Sequence, residues 1–379
     1  MKILAIDDQQ LILMSLEKRL IELGYDVKTA DTGQKGIDIF KQFLPDLVIV
    51  DINMPGLSGL DVVKHIRIEE KSKTPIMVMS GNTDEKIIVD GFDLGIDDYM
   101  KKPVSLSEVS ARVKRMIGTP VGEQSSTQKS EGQMLQQYCV GVVIPCYNEE
   151  ERLSGQEFKN FVHSNLGYHL CFVNDGSTDR TLEVLEELRK GNENKISIYD
   201  CAKNGGKAEA VRQGVLHLAN DPQLDYIGYL DADLSTDFRD FDDLVKTMEN
   251  SNFKIVSGSR MSRMGANITK ESARKIISKT INLIIRSILK MPFNDTQCGA
   301  KIMDKEIAQL VFNKKFITRW LFDVEIFMRM RKHYGKDKVQ ELICEQPLKR
   351  WIHADGSKLS MKDSIKIVGQ LAKIAVHYK

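Results

Sequence analysis

Tyr226-Ile227-Gly228-Tyr229-Leu230-Asp231-Ala232-Asp233 is an apolar run that stops on two carboxylates one residue apart. The run has the length and composition of a buried strand. Its Asp-x-Asp terminus can hold a divalent cation that also grips a diphosphate, neutralising charge on a departing nucleoside diphosphate. Asp-x-Asp pairs are common on surfaces, so the segments before this one carry the argument. Pro145-Cys146-Tyr147-Asn148-Glu149-Glu150 follows the strand-like run Val140–Ile144, and Asn174-Asp175-Gly176-Ser177-Thr178-Asp179 follows Leu170–Val173. The second of these is a turn and helix cap ahead of the periodic residues Leu182, Leu185 and Leu188. Asn204-Gly205-Gly206-Lys207 then approaches a helix beginning near Ala208. A helix start with a flanking lysine suits phosphate, although the G-x-x-x-x-G-K-[ST] spacing of a P-loop is absent.

Outward from this core, the alternation of strand and helix begins at Cys139, with further strands expected at Ile196–Tyr199 and Ile255–Ser257. Residues 1–118 carry their own alternation. Strands are expected at Lys2–Ile6, Tyr25–Ala30, Leu47–Val50, Ile76–Met79 and Asp98–Met100, separated by amphipathic segments such as Leu11–Leu23. Five such units predict a parallel sheet covered by helices on both faces. Residues 119–138 have the composition of a solvated linker. With no internal repeat, the chain reads as two different α/β domains, 1–118 and 139–358, followed by a basic amphipathic helix over 359–379.

In the first domain Asp7-Asp8 ends the first strand and Asp51 the third, while Ser80 and Lys102-Pro103 follow the fourth and fifth. Strand ends gather on one edge of an open parallel sheet, and three carboxylates gathered there call for a hard cation such as Mg2+. With Asp51-Ile52-Asn53-Met54-Pro55-Gly56-Leu57-Ser58-Gly59 and Asp97-Asp98-Tyr99-Met100-Lys101-Lys102-Pro103, the domain resembles the receiver of two-component response regulators, with a flavodoxin-like fold. The resemblance implies that Asp51 accepts a phosphoryl group from a sensor histidine kinase. It implies that Asp7, Asp8, Asp51 and the Asn53 carbonyl hold Mg2+, that Ser80 and Lys102 receive the phosphoryl oxygens, and that Tyr99 swings inward. The added charge would repack the face bearing Tyr99.

The second domain, from the order of its four motifs, resembles the inverting family 2 glycosyltransferases of GT-A fold. That implies a nucleotide pocket lined by Pro145, Tyr147 and Glu149, with Asp175 on the base and Lys207 beside the nucleotide or diphosphate. Asp231 and Asp233 would hold diphosphate and Mg2+ or Mn2+, with Asp233 the more direct ligand. Many members have Asp where this chain has Asn174. Farther on, Ser257-Gly258-Ser259-Arg260, Arg274–Asn282, Asp295-Thr296-Gln297-Cys298-Gly299-Ala300-Lys301 and Arg319-Trp320-Leu321-Phe322-Asp323-Val324-Glu325 resemble the polyprenyl-phosphate glycosyltransferases, nearer the glucosyl than the mannosyl branch. The resemblance implies UDP-glucose, or GDP-mannose, as donor and a lipid phosphate as acceptor, held by Arg260 and Arg274. A lipid phosphate is already ionised and needs no base. A sugar or protein hydroxyl would need one, for which Asp323 and Glu325 are the candidates; two residues apart on a helix, they face different ways. A non-catalytic sugar-nucleotide sensor is the competing class, against which the intact Asp231/Asp233 pair and Lys207 speak.

Composition sets the outer bounds. Hydrophobic residues make up 42% of the 379, enough to exclude wholesale disorder, and the net charge of +1 advertises no nucleic acid. That balance conceals an acidic first domain and a basic second one. The segment 270–290 carries six basic residues and one acid, and 358–379 five lysines and one acid, both with apolar residues at helical spacing. Basic amphipathic helices suit an anionic membrane surface, but the apolar stretch Ile281–Met291 is too short to span a bilayer. The tail would otherwise pack on the domain or form a dimer contact. Six scattered cysteines without a C-x-x-C pair, and a strand-like start at Lys2, point to a reduced cytoplasmic protein; the basic helices would make it peripheral at the inner face of the membrane. The receiver would gate transfer through dimerisation or by covering the acceptor site.

Overall fold

The structure, a computed structural model, describes residues 1–81, 85–120, 134–261, 267–268, 272–351 and 361–378. Contacts divide the chain into a first unit, Met1–Cys139 with Asn160–Tyr168, and a second, Val140–Lys159 with His169–Lys379.

In the first unit, strands β1 (Lys2–Ile6), β2 (Asp26–Ala30), β3 (Leu47–Asp51), β4 (Ile76–Ser80) and β5 (Asp98–Lys101) form an all-parallel sheet in the order β2-β1-β3-β4-β5. Alternate strand residues feed two cores, one on each face. Ile3, Ala5, Leu47, Ile49 and Met77 pack with Leu13, Leu16 and Leu20, whereas Leu4, Ile6, Val48, Val50 and Val78 pack with Ile37, Phe40 and Val62. Helices over both faces follow from strands apolar on both sides. Local signals set the helix starts: Thr32 accepts the Lys35 N–H, Ser105 the Glu108 N–H, and Ser58 shares a reciprocal capping box with Asp61. A two-residue strand β6 (Val104–Ser105) leads into the helix Leu106–Ile117.

The next strand, β7 (Met134–Cys146), begins inside the stretch expected to be linker. The reason is packing: Leu135 is fully buried, in the cluster of Ile3 and Leu47. Of the expected linker, residues 121–133 lie outside the described ones.

A separate sheet joins β7 to β8 (Asn165–Asn174), β9 (Ile196–Asp200), β10 (Tyr226–Leu230), β11 (Ile255–Ser259), β13 (Ala300–Asp304) and β14 (Ile343–Pro347), in the order β14-β11-β13-β10-β7-β8-β9. Strands β10 and β7, and β8 and β9, run parallel, while β13 is antiparallel to both neighbours, β10 and β11. Strands β12 (Asn267–Ile268) and β15 (Arg350–Trp351) form a separate parallel pair. The carboxyl ends of β7, β8 and β10 therefore bring the Pro145, Asn174 and Asp231 segments to one edge. The second basic segment is a helix over Met361–His377 that packs on the helix Ser272–Leu289, with Leu371 and Ile374 buried and Val368 and Val376 exposed. No helix among the described residues is long and apolar enough to cross a membrane.

Candidate functional site

In the first unit the strand ends deliver a compact charged pocket. One carboxylate oxygen from each of Asp7, Asp8 and Asp51 lies within 4.8 Å of the others. Lys102, 2% exposed, sits 2.7 Å from Asp7 and 3.3 Å from Asp51. Burial pushes the Asp51 carboxyl up to about 6, Lys102 opposing and the Asp7 charge adding to the rise. Asp8 is raised too, by burial and then by Asp7. Burial works against the Lys102 charge, but Asp7 and Asp51 hold its proton above the ordinary lysine range. Three oxygen donors at this spacing, with the Asp8 and Asp51 carboxyls resisting ionisation, can serve as the donor set of a hard divalent cation. Ser80 is fully buried and shares a hydrogen bond with Tyr99, whose hydroxyl is raised by burial. Asn53 lies exposed two residues beyond Asp51. The loop turns back so tightly that a Cβ at Gly59 would stand 2.1 Å from the Asp51 carbonyl oxygen, which accounts for glycine there.

In the second unit the site is built around Asp231. Its Oδ1 forms an ion pair with Lys207 Nζ, and the Gly299 backbone presses against its other oxygen: a Cβ there would lie 1.9 Å from Asp231 Oδ2. Lys207, at the first position of the helix Lys207–Ala219, has its proton held above the usual range by Asp231, with Asp323 and Asp233 in support and burial opposing. Asp233 is exposed, one oxygen accepting the Ser235 N–H at 2.9 Å. Burial raises Glu149, which pairs with Arg152 and feels the charge of Asp233. Pro145 is half-buried and Tyr147 exposed on the same loop. That loop is tied to the Gly176–Asp179 turn by Asn148 N–H to Ser177 (3.1 Å) and Thr178 N–H to Asn148 (2.9 Å).

Asp175, 3% exposed, accepts the Gly205 and Gly206 N–H groups, one on each oxygen at 2.8 Å. In this structure it fastens the Gly-rich loop that presents Lys207. The neighbouring Asn174 donates to Asp200 at 2.7 Å and accepts from Ser177 N–H. An aspartate there would face Asp200 as a like charge, which explains the amide.

The chain's similarities divide at the same place. Residues 3–114 match the response regulator receiver domain family and 141–312 match glycosyl transferase family 2. A dolichyl-phosphate β-glucosyltransferase of Trichomonas vaginalis is 30% identical over 256 residues, 64% of this chain and 75% of that protein. A second from the same organism is 33% identical over 252 residues, 63% and 74%. The chain belongs to the family 2 glycosyltransferases and carries a receiver domain. On the receiver side, the cell cycle transcriptional regulator CtrA of Caulobacter vibrioides is 35% identical over 130 residues, 34% of this chain and 56% of the regulator.

The remaining candidates, Asp323 and Glu325, face different ways, as their spacing on one helix implies. Glu325 is fully buried and accepts the Ile317 N–H, the Thr318 N–H and hydroxyl, and the Tyr378 hydroxyl, at 2.9 to 3.2 Å. It organises the loop at 317–318. Asp323 faces the other way, its Oδ1 receiving the Tyr229 hydroxyl and Lys301 Nζ, the latter at 2.6 Å. Arg260 is a bidentate partner of Asp295, at 2.7 and 2.8 Å. The pair is set by Glu345, which accepts from Ser259, the Asn294 N–H and the Asp295 N–H. Its guanidinium fork is therefore already occupied. The Arg274 side chain lies outside the described residues. Sequence reasoning missed Tyr229, Gly299 and Lys301 as site residues. A lysine inside an apolar strand, as in Ala300–Asp304, was the available signal, because buried lysines are rare unless paired.

Proposed function

We propose that this chain is a phosphorylation-regulated, inverting glycosyltransferase that moves a hexose, glucose by preference, from a nucleoside-diphosphate sugar to polyprenyl phosphate. The observation that carries the acceptor is the condition of the two carboxylates beside the donor site. Glu325 is spent on the loop at 317–318, and Asp323 already receives hydrogen bonds from Tyr229 and Lys301. An acceptor hydroxyl would need a base; a phosphate monoester is ionised and attacks without one. The dolichyl-phosphate β-glucosyltransferases among the relatives support glucose as the sugar and a polyprenyl phosphate as the acceptor.

In this reading Lys207 and Asp231 orient the donor diphosphate, and Asp233, exposed at the strand end, is the residue to hold Mg2+ or Mn2+. When bound, that cation neutralises charge on the departing diphosphate. Asp175 keeps the Gly205-Gly206 loop shaped around the nucleotide, and Tyr147 and Pro145 line its pocket. Direct displacement inverts the anomeric centre. Arg260, buffered by Asp295, supplies a fixed dipole more than a free cation, which leaves Arg274 as the acceptor-phosphate residue. In the receiver, a sensor histidine kinase phosphorylates Asp51, Asp7 and Asp8 hold Mg2+ with it, and Lys102 and Ser80 take the phosphoryl oxygens. The six cysteines are free thiols, in keeping with cytoplasmic work.

An acceptor screen tests the reading: labelled UDP-glucose and GDP-mannose are offered with polyprenyl phosphate and with soluble sugars and peptides. Label extracted with the lipid from UDP-glucose is the expected result. Transfer to a soluble hydroxyl with no lipid product contradicts it.

A further inference from the structure

The loop at 313–320, between the helices Lys305–Phe312 and Phe322–Tyr334, is pinned from within and decorated from without. From within, Glu325 receives the backbone N–H groups of Ile317 and Thr318, while Arg329 donates to the carbonyls of Val311, Lys314 and Lys315 at 2.6 to 2.8 Å. The Arg329 guanidinium also stacks 4.3 Å from the Phe316 ring centroid. From without, Trp320 is 68% and Ile317 41% exposed, and Lys314, Lys315 and Arg319 are exposed beside them. No acidic residue occurs between Glu306 and Asp323.

These bonds hold the backbone of the loop, so Ile317 and Trp320 are presented outward from a fixed scaffold. Tryptophan with a β-branched aliphatic, ringed by cations, is the composition that settles at a headgroup layer: the apolar bodies enter, the indole N–H stays wet, and the cations meet anionic lipid. The same loop touches the donor site. The Arg319 carbonyl accepts the Ala208 N–H at 3.3 Å, and the Arg319 side chain packs over Gly206, on either side of Lys207.

We propose that the loop 313–320 is the surface through which the transferase docks on an anionic bilayer, seating Ile317 and Trp320 among the headgroups and bringing the Lys207 loop to the membrane plane. The proposal rests on the lipid-acceptor reading for its purpose but not for its test. Full-length protein is co-sedimented with phosphatidylcholine vesicles with and without phosphatidylglycerol, all lacking polyprenyl phosphate. The emission assigned to Trp320 is the part lost in Trp320→Phe. Binding is expected only with the anionic lipid, together with a blue shift of that emission. Ile317→Ser with Trp320→Ser should weaken partitioning by on the order of tenfold or more, and Lys314→Gln with Lys315→Gln by about 25-fold, at about fivefold per cation. Both variants should keep the wild-type melting temperature, since the four side chains are exposed. Equal partitioning of wild type and the Ile317/Trp320 variant, or an unshifted Trp320 emission in vesicle-bound protein, overturns the proposal. Absence of vesicle binding overturns it as well, including the case where this loop instead captures a protein. Vesicle binding as expected with no transfer to polyprenyl phosphate would sink the acceptor reading and leave the docking surface standing.

Discussion

Gly299→Ala probes the donor site with a single methyl group. The new Cβ would stand 1.9 Å from Asp231 Oδ2, 2.4 Å from Cγ and 2.8 Å from Oδ1. Carbon and oxygen rest at about 3.3 Å, so the carboxylate must retreat by roughly 1.4 Å. That motion pulls Oδ1 away from Lys207, whose ion pair fixes its direction. A displacement of about 1 Å in a positioning group costs on the order of 100-fold in rate, so kcat should fall by about that factor or more. Overpacking strain of about 1–3 kcal/mol would lower the melting temperature without unfolding the protein. The assay is the initial rate of sugar transfer across a donor titration, with thermal melting alongside. Gly369→Ala, where an added Cβ meets nothing within 4 Å, is the control. If Gly299→Ala kept the wild-type kcat and donor KM, Asp231 would not hold the donor in the orientation described.

Three other sets of substitutions test separate parts of the structure. Asn174→Asp sets a second carboxylate against Asp200, 2.7 Å from the present amide; donor KM should rise several-fold, and adding Asp200→Asn should restore it. Glu325→Gln places an amide where four donors converge, with an expected loss of about 3 kcal/mol in chemical denaturation, whereas Tyr378→Phe removes one of those bonds and the one its hydroxyl accepts from Arg329 and should cost about 2 kcal/mol. Burial pushes the Glu249 carboxyl up to about 7 from an unfolded value of 4.5, with Asp242 adding to the rise. The folded chain then keeps a proton the unfolded chain has lost, so stability falls as pH rises from about 4.5 to 7. Glu249→Gln should therefore melt higher than wild type at pH 8, by at most about 3 kcal/mol, and show no gain at pH 4.

What the sequence disclosed follows from what is local. Strands such as Leu47–Asp51 and Tyr226–Leu230 announce themselves by composition, and a carboxylate at each strand end needs only chain direction to be placed on an edge. The carboxylates of Asp7, Asp8 and Asp51 were legible for that reason. Strands β13 and β14 were not, because Lys301 interrupts one and Glu345 and Gln346 the other; each of these polar residues is satisfied by a partner distant in sequence or in a turn. The same holds for direction. Nothing in Arg319–Glu325 says that Glu325 will turn toward the loop at 317–318 while Asp323 meets Tyr229, 94 residues away in the chain. Arg260 looked like a free cation because Asp295, its partner, comes 35 residues later and is brought in by Glu345.

The central claim is that one chain couples a phosphoryl switch to sugar transfer. Its most direct test is the initial rate of glucosyl transfer from UDP-glucose to polyprenyl phosphate, measured for wild type and Asp51→Ala, with and without a small-molecule phosphodonor and Mg2+. The account predicts that the phosphodonor changes the wild-type rate several-fold and leaves the Asp51→Ala rate unmoved. Identical rates under all four conditions would contradict it.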